Sequence, residues 1–478
     1  MLKNSKIRVR FAPSPTGFLH IGSLRMIMLN YLFAKKEKGI FILRIEDTDQ
    51  ERFVKGAVES LLKTLKILKI DFDEGPYYQS KRLKIYKKYA DQLIKEGKAY
   101  YCFCTEERLE KMRQEQIAKK QAPMYDKHCR NLDPKIIAEK LKNKETYTIR
   151  LKIPEGETIK FNDLLHGEIK FDSNLIDDQV LIKSDGFPTY HFASTIDDHL
   201  MEVSHVIRGE EWLSSTPKHV LLYKYLNWEP PVFVHPSLML SKEGGKLSKR
   251  KGDVAVEDFL EKGYLPEALL NFIGLLILSV PDNANEVLSL KELIQMFDWN
   301  KVHRNPAILN IEKLDWINSR YIRKMLIKDL TKLCLKYLPE KIDYKQKDLE
   351  KIIALEKERI TKLSEIGEAT EFFFKDLKYD QNLLKWKDAD KTETKTSLDE
   401  SYSILRDVKE KDFQADKLKA VLMPVAEEFG NNDRGKLLWP LRVALSGRDK
   451  SPGPFEIAEI LGKKKTLERI KKAIELIK

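Results

Sequence analysis

The chain opens with an alternation of short apolar runs and helical periods that few architectures accommodate. Ile7 to Ala12 reads as a strand, ended by Pro13-Ser14-Pro15-Thr16-Gly17. From Gly22 a helical pattern begins, with Leu24, Ile27, Met28, Tyr31 and Leu32 on one face, and Gly39 closes it. Ile40 to Ile45 is a second strand. Thr48-Asp49-Gln50-Glu51 reads as a capping box that opens a long helix to about Lys69. Strand, helix, strand, helix predicts parallel strands with crossover helices, an open α/β sheet of the nucleotide-binding kind.

At 478 residues the chain exceeds the roughly 250–300 that one core supports, so more than one domain is expected. Composition shifts near Ala99, where Tyr100-Tyr101-Cys102-Phe103-Cys104 leads into a charged, helix-prone stretch to about Lys120. Thr146 to Ile153 and Val180 to Lys183 read as strands, with Asp185-Gly186-Phe187-Pro188 as a turn, so about 100–190 reads as an inserted α/β module. Strand signals resume at His205 to Arg208 and Val232 to His235. Beyond Gly252 the pattern is helical, ending in an amphipathic helix with Leu467, Ile470, Ile474 and Ile477 on one face.

Apolar residues make up 42 % and charged residues 33 %, which suits neither a disordered chain nor a membrane protein. The nearly apolar run Ala268 to Val280 is too short to span a bilayer. Four cysteines in such a length make no disulfide framework, and Cys334 reads as a core thiol. Met1 to Gly17 lacks the apolar stretch of a signal peptide, so a cytoplasmic protein is expected. The net charge of +12 points to a polyanionic partner. Residues 323–478 carry +6 of it, so no single basic arm holds the charge.

Two motifs handle phosphate. At the first strand-to-helix junction, His20-Ile21-Gly22-Ser23 presents backbone N–H groups at a helix N-terminus, and His20 can donate to a nucleotide oxygen. Roughly 230 residues on, Lys246-Leu247-Ser248-Lys249-Arg250 follows Gly244-Gly245, a cationic loop suited to the charge on departing pyrophosphate. Leu240 and Leu247 stand where a P-loop needs Gly and Ser or Thr, and the first βα turn lacks a dinucleotide glycine pattern. Either motif alone is an ordinary turn or a solvated basic loop. Together they form the paired signature of class I aminoacyl-tRNA synthetases, with Ser23 a departure at its last position.

Further segments resemble bacterial glutamyl-tRNA synthetases. They are Arg10-Phe-Ala-Pro-Ser-Pro-Thr-Gly, Leu43-Arg-Ile-Glu-Asp-Thr-Asp49, Asp73-Glu-Gly-Pro-Tyr-Tyr-Gln-Ser80, Ser184-Asp-Gly-Phe-Pro-Thr-Tyr190, Val206-Ile-Arg-Gly-Glu-Glu-Trp212, Gly263-Tyr-Leu-Pro-Glu-Ala-Leu-Leu270 and Pro452-Gly-Pro-Phe-Glu-Ile. They run nearly the whole length. The resemblance implies a Rossmann-like parallel-sheet catalytic domain in two halves, 1–98 and 191–252, split by an acceptor-stem-binding module at 99–190. It also implies a stem-contact region at 253–322 and an all-α anticodon-binding region at 323–478. The implied activity is ligation of L-glutamate to tRNA-Glu, using ATP with Mg2+, by a monomer with no membrane partner. A ligase that also charges tRNA-Gln stays open. An inactive tRNA-binding paralogue is the alternative from another class, against which the intact His20-Ile21-Gly22 and Lys246 to Arg250 argue.

The resemblance also implies site residues. Pro13, Ser14, Gly17, His20, Gly22, Ser23, Lys246 and Lys249 would bind ATP, with His20, Lys246 and Lys249 the catalytic groups. For glutamate, Arg10 and Arg208 would face carboxylates and Glu46 the ammonium, with Ser14, Tyr190 and Trp212 shaping the pocket. A guanidinium binds a carboxylate bidentately and gains less from an amide, which rationalises glutamate over glutamine. Asp47 and Asp49 suggest a metal site, but Thr48 and Asp49 read as helix-capping groups instead. Cys102, Cys104 and Cys129 with Tyr125 are candidate ligands for one structural Zn2+, against a reading of three reduced core cysteines. Asn131 stands where some relatives have a histidine ligand, so Tyr125 or His128 could supply the fourth. Asp197, Asp198, His199 and His191 read as structural or as contacts to the tRNA 3′ end. Arg359 is either an anticodon reader or a solvated helix arginine.

Overall fold

The computed structural model describes residues 6–241, 245, 255–281, 285–339 and 345–477. The chain forms two compact units, Met1–Phe259 with Leu269–Ile311, and Leu260–Ala268 with Glu312–Lys478.

The first unit opens as expected, with β1 (Arg8–Phe11), α1 (Ile21–Lys36), β2 (Ile40–Ile45), α2 (Ala57–Ile67), β3 (Glu74–Tyr78) and α3 (Leu83–Lys95). The three strands pair in parallel in the order β1-β2-β3. Helix α1 is buried on nearly every side, with Leu24, Ile27, Met28 and Leu32 fully inaccessible. It ends because Lys38 turns left-handed at φ 52°. Gly39 is needed for another reason: a Cβ there would lie 2.5 Å from the Ile7 carbonyl oxygen.

The expected capping box at Thr48-Asp49-Gln50-Glu51 does not form, and helix α2 starts only at Ala57. Backbone bonds explain the delay. Glu46 N–H donates to the Pro13 carbonyl and Val54 N–H to that of Pro15, which ties residues 46–54 along the Pro13–Pro15 turn. Asp47 accepts instead from the backbone and hydroxyl of Ser80, at 2.8 and 2.6 Å. Asp49 pairs with Arg52 at 2.5 Å.

The middle of the unit carries β4 (Ala99–Cys102), α4 (Glu106–Ala118), α5 (Pro134–Lys142), β5 (Thr148–Leu151), β6 (Thr158–Asp163), β7 (Gly167–Asp172), β8 (Val180–Ile182), α6 (Tyr190–Leu200), β9 (His205–Ile207), α7 (Thr216–Tyr225) and β10 (Val232–Val234). Strands β4, β5 and β8 form an antiparallel sheet. The β6–β7 hairpin joins the second parallel group, in the order β7-β6-β10-β9, with β10 parallel to both β6 and β9. The two parallel groups meet where Ser204 N–H donates to the Arg8 carbonyl at 2.9 Å. Helices α8 (Val256–Glu261), α9 (Pro266–Ile277) and α10 (Leu290–Met296) follow, with a short parallel pair β11 (Met239–Leu240) and β12 (Ala307–Ile308).

The second unit contains α11 (Ile311–Lys324), α12 (Ile327–Cys334), α13 (Gln346–Glu356), α14 (Glu365–Phe374), α15 (Lys391–Asp407), α16 (Ala415–Phe429), α17 (Gly435–Ser446) and α18 (Pro454–Leu476), and no strand among the described residues. Its core gathers Ile352, Phe373, Leu398, Leu405, Leu441 and Ile470. Helix α18 is broken at Gly462, whose φ of 73° lies outside the helical range. Beyond that break the expected face holds: Ile470 and Ile477 are buried and Leu467 and Ile474 pack beside them. Cys334 is fully buried, and burial pushes its thiol up to about 12. No described helix is long and apolar enough to cross a membrane.

Candidate active site

Parallel strands place ligands beyond their C-terminal ends. Arg10 lies near the end of β1, Glu46 follows β2, and Arg208 follows β9. All three line one cavity of about 540 Å³ together with Ser14, Tyr190 and Trp212. The six residues expected to bind glutamate are therefore brought together. The Tyr190 and Trp212 rings lie 4.4 Å apart at 37° and form one wall.

Two of the lining residues, Arg10 and Glu46, belong to a buried charge network that the expected roles did not include. Asp198 accepts from Arg10 Nε at 2.9 Å and from Arg44 Nη1 at 2.8 Å. Arg44 also reaches Glu46 at 3.0 Å and the Ser194 hydroxyl at 3.2 Å. Burial works to raise the Asp198 carboxyl, but Arg10 and Arg44 together hold it below its ordinary value. For Glu46 burial wins over the same two arginines and pushes the carboxyl up to about 7. Asp197 points elsewhere and accepts from Arg82, Gln79 and Tyr86, at 2.8, 3.0 and 2.6 Å. Both aspartates are thus engaged in buried networks, and their side chains are almost inaccessible.

Arg208 differs from the other arginines in this unit's site. It is 6 % exposed yet has no ion pair among the described residues. Its donors meet neutral groups: His235 Nε2 at 3.1 Å, His219 Nε2 at 3.2 Å, the Tyr190 hydroxyl at 3.3 Å and the Thr216 hydroxyl at 2.9 Å. A buried cation without a counter-charge is costly unless a ligand supplies one.

A second cavity, of about 340 Å³, shares Phe11 and Ser14 with the first and is lined by Pro13, Gly17, His20 and Ser23. His20 is the N-cap of α1, and its Nδ1 accepts from Gly22 N–H at 3.0 Å. That bond leaves the ring proton on Nε2, as a donor. Gly22 does not line the cavity; its role is to accommodate this ring, since a Cβ there would lie 2.7 Å from His20 Cε1. Lys246 and Lys249, with Leu247, Ser248 and Arg250, fall outside the described residues.

Residues 6–316 match the catalytic domain of class I tRNA synthetases of the E and Q type, and residues 329–474 match an anticodon-binding domain. The chain belongs to the class I tRNA synthetases of this type. A glutamate–tRNA ligase of Finegoldia magna is 44 % identical over 98 % of this chain and 99 % of its own length. One from Clostridium acetobutylicum is 42 % identical over the same shares. A crystal structure of a glutamate tRNA ligase from Elizabethkingia meningosepticum, in complex with its amino acid, is 38 % identical. It superposes with a TM-score of 0.89, covering 99 % of this chain and all of that one.

Elsewhere in this synthetase, Cys102, Cys104 and Cys129 place their sulfurs within 4.8 Å of one another. The Cys104–Cys129 separation of 3.6 Å is close to the ~3.8 Å between thiolates on one tetrahedral zinc. The Tyr125 hydroxyl lies 3.2 Å from Cys102 and 3.4 Å from Cys104. His128 is exposed and outside the group. The hydrogen bond from Cys129 pulls the Cys102 thiol down to about 4, while Cys129 rises in turn. In the helical unit, Arg359 pairs with Glu356 at 3.1 Å on a cavity of about 460 Å³ that Arg448 and Lys450 also line.

The residues that sequence reasoning missed are Arg44, Asp163, His219 and His235. Arg44 sat inside a quoted segment, and its alternation with Glu46 along one strand was the available signal. Asp163 and His235 carried none, because the parallel pairing of β6 with β10 alone brings them together.

Proposed function

We propose that this synthetase activates L-glutamate with ATP and transfers it to the 3′-terminal adenosine of tRNA-Glu. The observation that carries this reading is Arg208, a buried cation with no ion pair among the described residues, at the wall of a cavity that also offers Arg10 and Glu46. Glutamate brings two carboxylates and one ammonium, which matches that set of charges. Its α-carboxylate then attacks the α-phosphate of ATP in the adjoining cavity and expels pyrophosphate. The nucleophile is already ionised, so the site works by positioning and charge stabilisation rather than by a general base.

In this reading Pro13, Ser14, Gly17 and Ser23 cradle the nucleotide, Gly22 makes room for the His20 ring, and His20 Nε2–H donates to its phosphates, joined by Lys246 and Lys249. Magnesium enters with ATP. In the second step the adenosine hydroxyl attacks the activated carbonyl and AMP leaves. We assign 99–190 to the acceptor stem, 253–322 to stem contact and 323–478 to the anticodon, with Arg359 as one reader. We further propose that the working unit is a monomer that acts in the cytoplasm, where tRNA is charged. Charging assays on purified tRNA-Glu and tRNA-Gln test the reading. Glutamyl-tRNA-Glu is the expected product, product on tRNA-Gln as well would mean a relaxed ligase, and no product on either would refute it.

The raised Glu46 carboxyl gives a pH dependence with a definite sign. Only the ionised form attracts the ammonium group, and below about pH 7 that form becomes the minority. The KM for glutamate should therefore rise about tenfold between about pH 8 and pH 6, while that for ATP changes little. A flat glutamate KM across this range would exclude Glu46 as the ammonium partner.

We further propose that Cys102, Cys104, Cys129 and Tyr125 hold a structural zinc. Zinc there would tie β4 to the segment after α4 and take no part in the chemistry. Purified protein should contain about one zinc per chain, and Cys104→Ser should lose it. Metal analysis showing well under one per chain in the wild type would leave three reduced core thiols.

A further inference from the structure

Arg208 is held by imidazoles, and their protonation is set from behind. A guanidinium donates hydrogen bonds and never accepts them. Its 3.1 Å contact to His235 Nε2 therefore requires that nitrogen to be an acceptor, with the ring proton on Nδ1. Nδ1 lies 2.7 Å from Asp163 Oδ2, which receives that proton's hydrogen bond. The other oxygen of Asp163 is occupied, accepting from Leu165 N–H at 2.9 Å and His166 N–H at 3.1 Å. The same logic holds at His219: Nε2 accepts from Arg208, so Nδ1 donates to the Thr195 hydroxyl at 2.9 Å. Thr195 passes the bond on to the His191 carbonyl at 2.8 Å.

Asp163, His235 and His219 are each at most 3 % exposed. Burial and the Arg208 charge both disfavour protonation of His235 and His219. The pair of neutral rings orients Arg208 without cancelling its charge. A carboxylate placed directly on Arg208 would orient it equally well, but would neutralise the group that the substrate needs. Asp163 acts one ring further away and so avoids this.

We propose that Asp163 and His235 are positioning residues for glutamate recognition: Asp163 holds the His235 proton on Nδ1, so that Nε2 accepts from Arg208 and fixes its guanidinium toward the substrate carboxylate. The proposal rests on the reading of Arg208 as a glutamate-binding residue. It is specific about one proton, and nearly isosteric substitutions test it. In Asp163→Asn the side-chain oxygen takes the two backbone N–H groups, and the amide N–H2 faces His235 Nδ1. The ring proton is driven to Nε2, donor against donor with Arg208. In His235→Gln the side-chain oxygen can take the place of Nε2 as acceptor, and no tautomer remains to invert.

The experiment is steady-state charging of tRNA-Glu with glutamate and ATP varied in turn, for the full-length wild type, D163N, H235Q, the double variant and R208K. D163N should raise the glutamate KM at least about tenfold, with kcat and the ATP KM within about threefold of wild type. H235Q should stay within about threefold throughout, and adding D163N to it should cost no more than about twofold further. Should D163N not accumulate as folded protein, H235F replaces it: Arg208 Nε then faces a ring without an acceptor, and the same tenfold rise is expected. The proposal is overturned if D163N, or H235F in its place, leaves the glutamate KM within about twofold of wild type. It is also overturned if the D163N penalty persists in the H235Q background, because Asp163 would then serve only the β6–β7 turn. R208K separates the underlying reading: a glutamate KM unchanged in R208K would remove Arg208 from the substrate site, whatever the other variants do.

Discussion

Replacing Asp198 by alanine should remove about 3–5 kcal/mol of stability and abolish charging, the largest structural effect expected of any single substitution in the site. The reason is electrostatic. Arg10 and Arg44 are 3 % and 0 % exposed, and Asp198 bonds to both. Without it, the two buried guanidinium groups are left with Glu46, which bonds to Arg44, and with Asp197, which acts on Arg44 from a distance. Asp198→Asn keeps the shape and loses the charge, so it should fall between alanine and wild type. Urea unfolding measures both, and a loss under about 1 kcal/mol for alanine would show that the network contributes little. The pH dependence has the matching sign. The Asp198 carboxyl is depressed in the folded state, so its stabilisation is present above the ordinary carboxylate range and is lost as pH falls through the lowered value.

Removal of the His20 side chain should produce the largest catalytic effect. A donor aimed at charge that develops on a phosphate is worth about 10²–10³ in kcat. His20 does a second job, since its Nδ1 caps α1 through Gly22 N–H. His20→Ala should therefore lose that factor in adenylate formation and also about 1 kcal/mol of stability. His20→Asn separates the two jobs: its side-chain oxygen can cap Gly22 N–H, but it is too short to donate where Nε2 does. The expected result is wild-type thermal stability with alanine-like activity. If His20→Asn kept the exchange rate within about threefold of wild type, His20 would be a helix cap and nothing more.

Much of this is legible in the sequence. Periodicity placed β2 at Ile40–Ile45 without error, and strand ends carried Arg10, Glu46 and Arg208 to one cavity. Local signals failed where long-range bonds intervened. The capping box at Thr48 was sound chemistry for an isolated peptide, but the Pro13 and Pro15 carbonyls recruit that segment's N–H groups first. Gly39 was read as a helix terminator, whereas the left-handed residue is Lys38 and the glycine serves a close approach to Ile7. Asp197 and Asp198, adjacent in sequence, point into different networks because successive side chains on α6 diverge around the helix. No pattern of composition or spacing reports that Asp163 lies behind His235, 72 residues away.

The most direct test of the account is glutamate-dependent ATP–pyrophosphate exchange by the purified chain, with tRNA-Glu present and with glutamine as the competing amino acid. The two cavities predict exchange with glutamate, little with glutamine, and a further loss when Arg208 is replaced. Exchange that is absent with glutamate, or equally fast with glutamine, would contradict the central claim that these buried cations select and position a carboxylate.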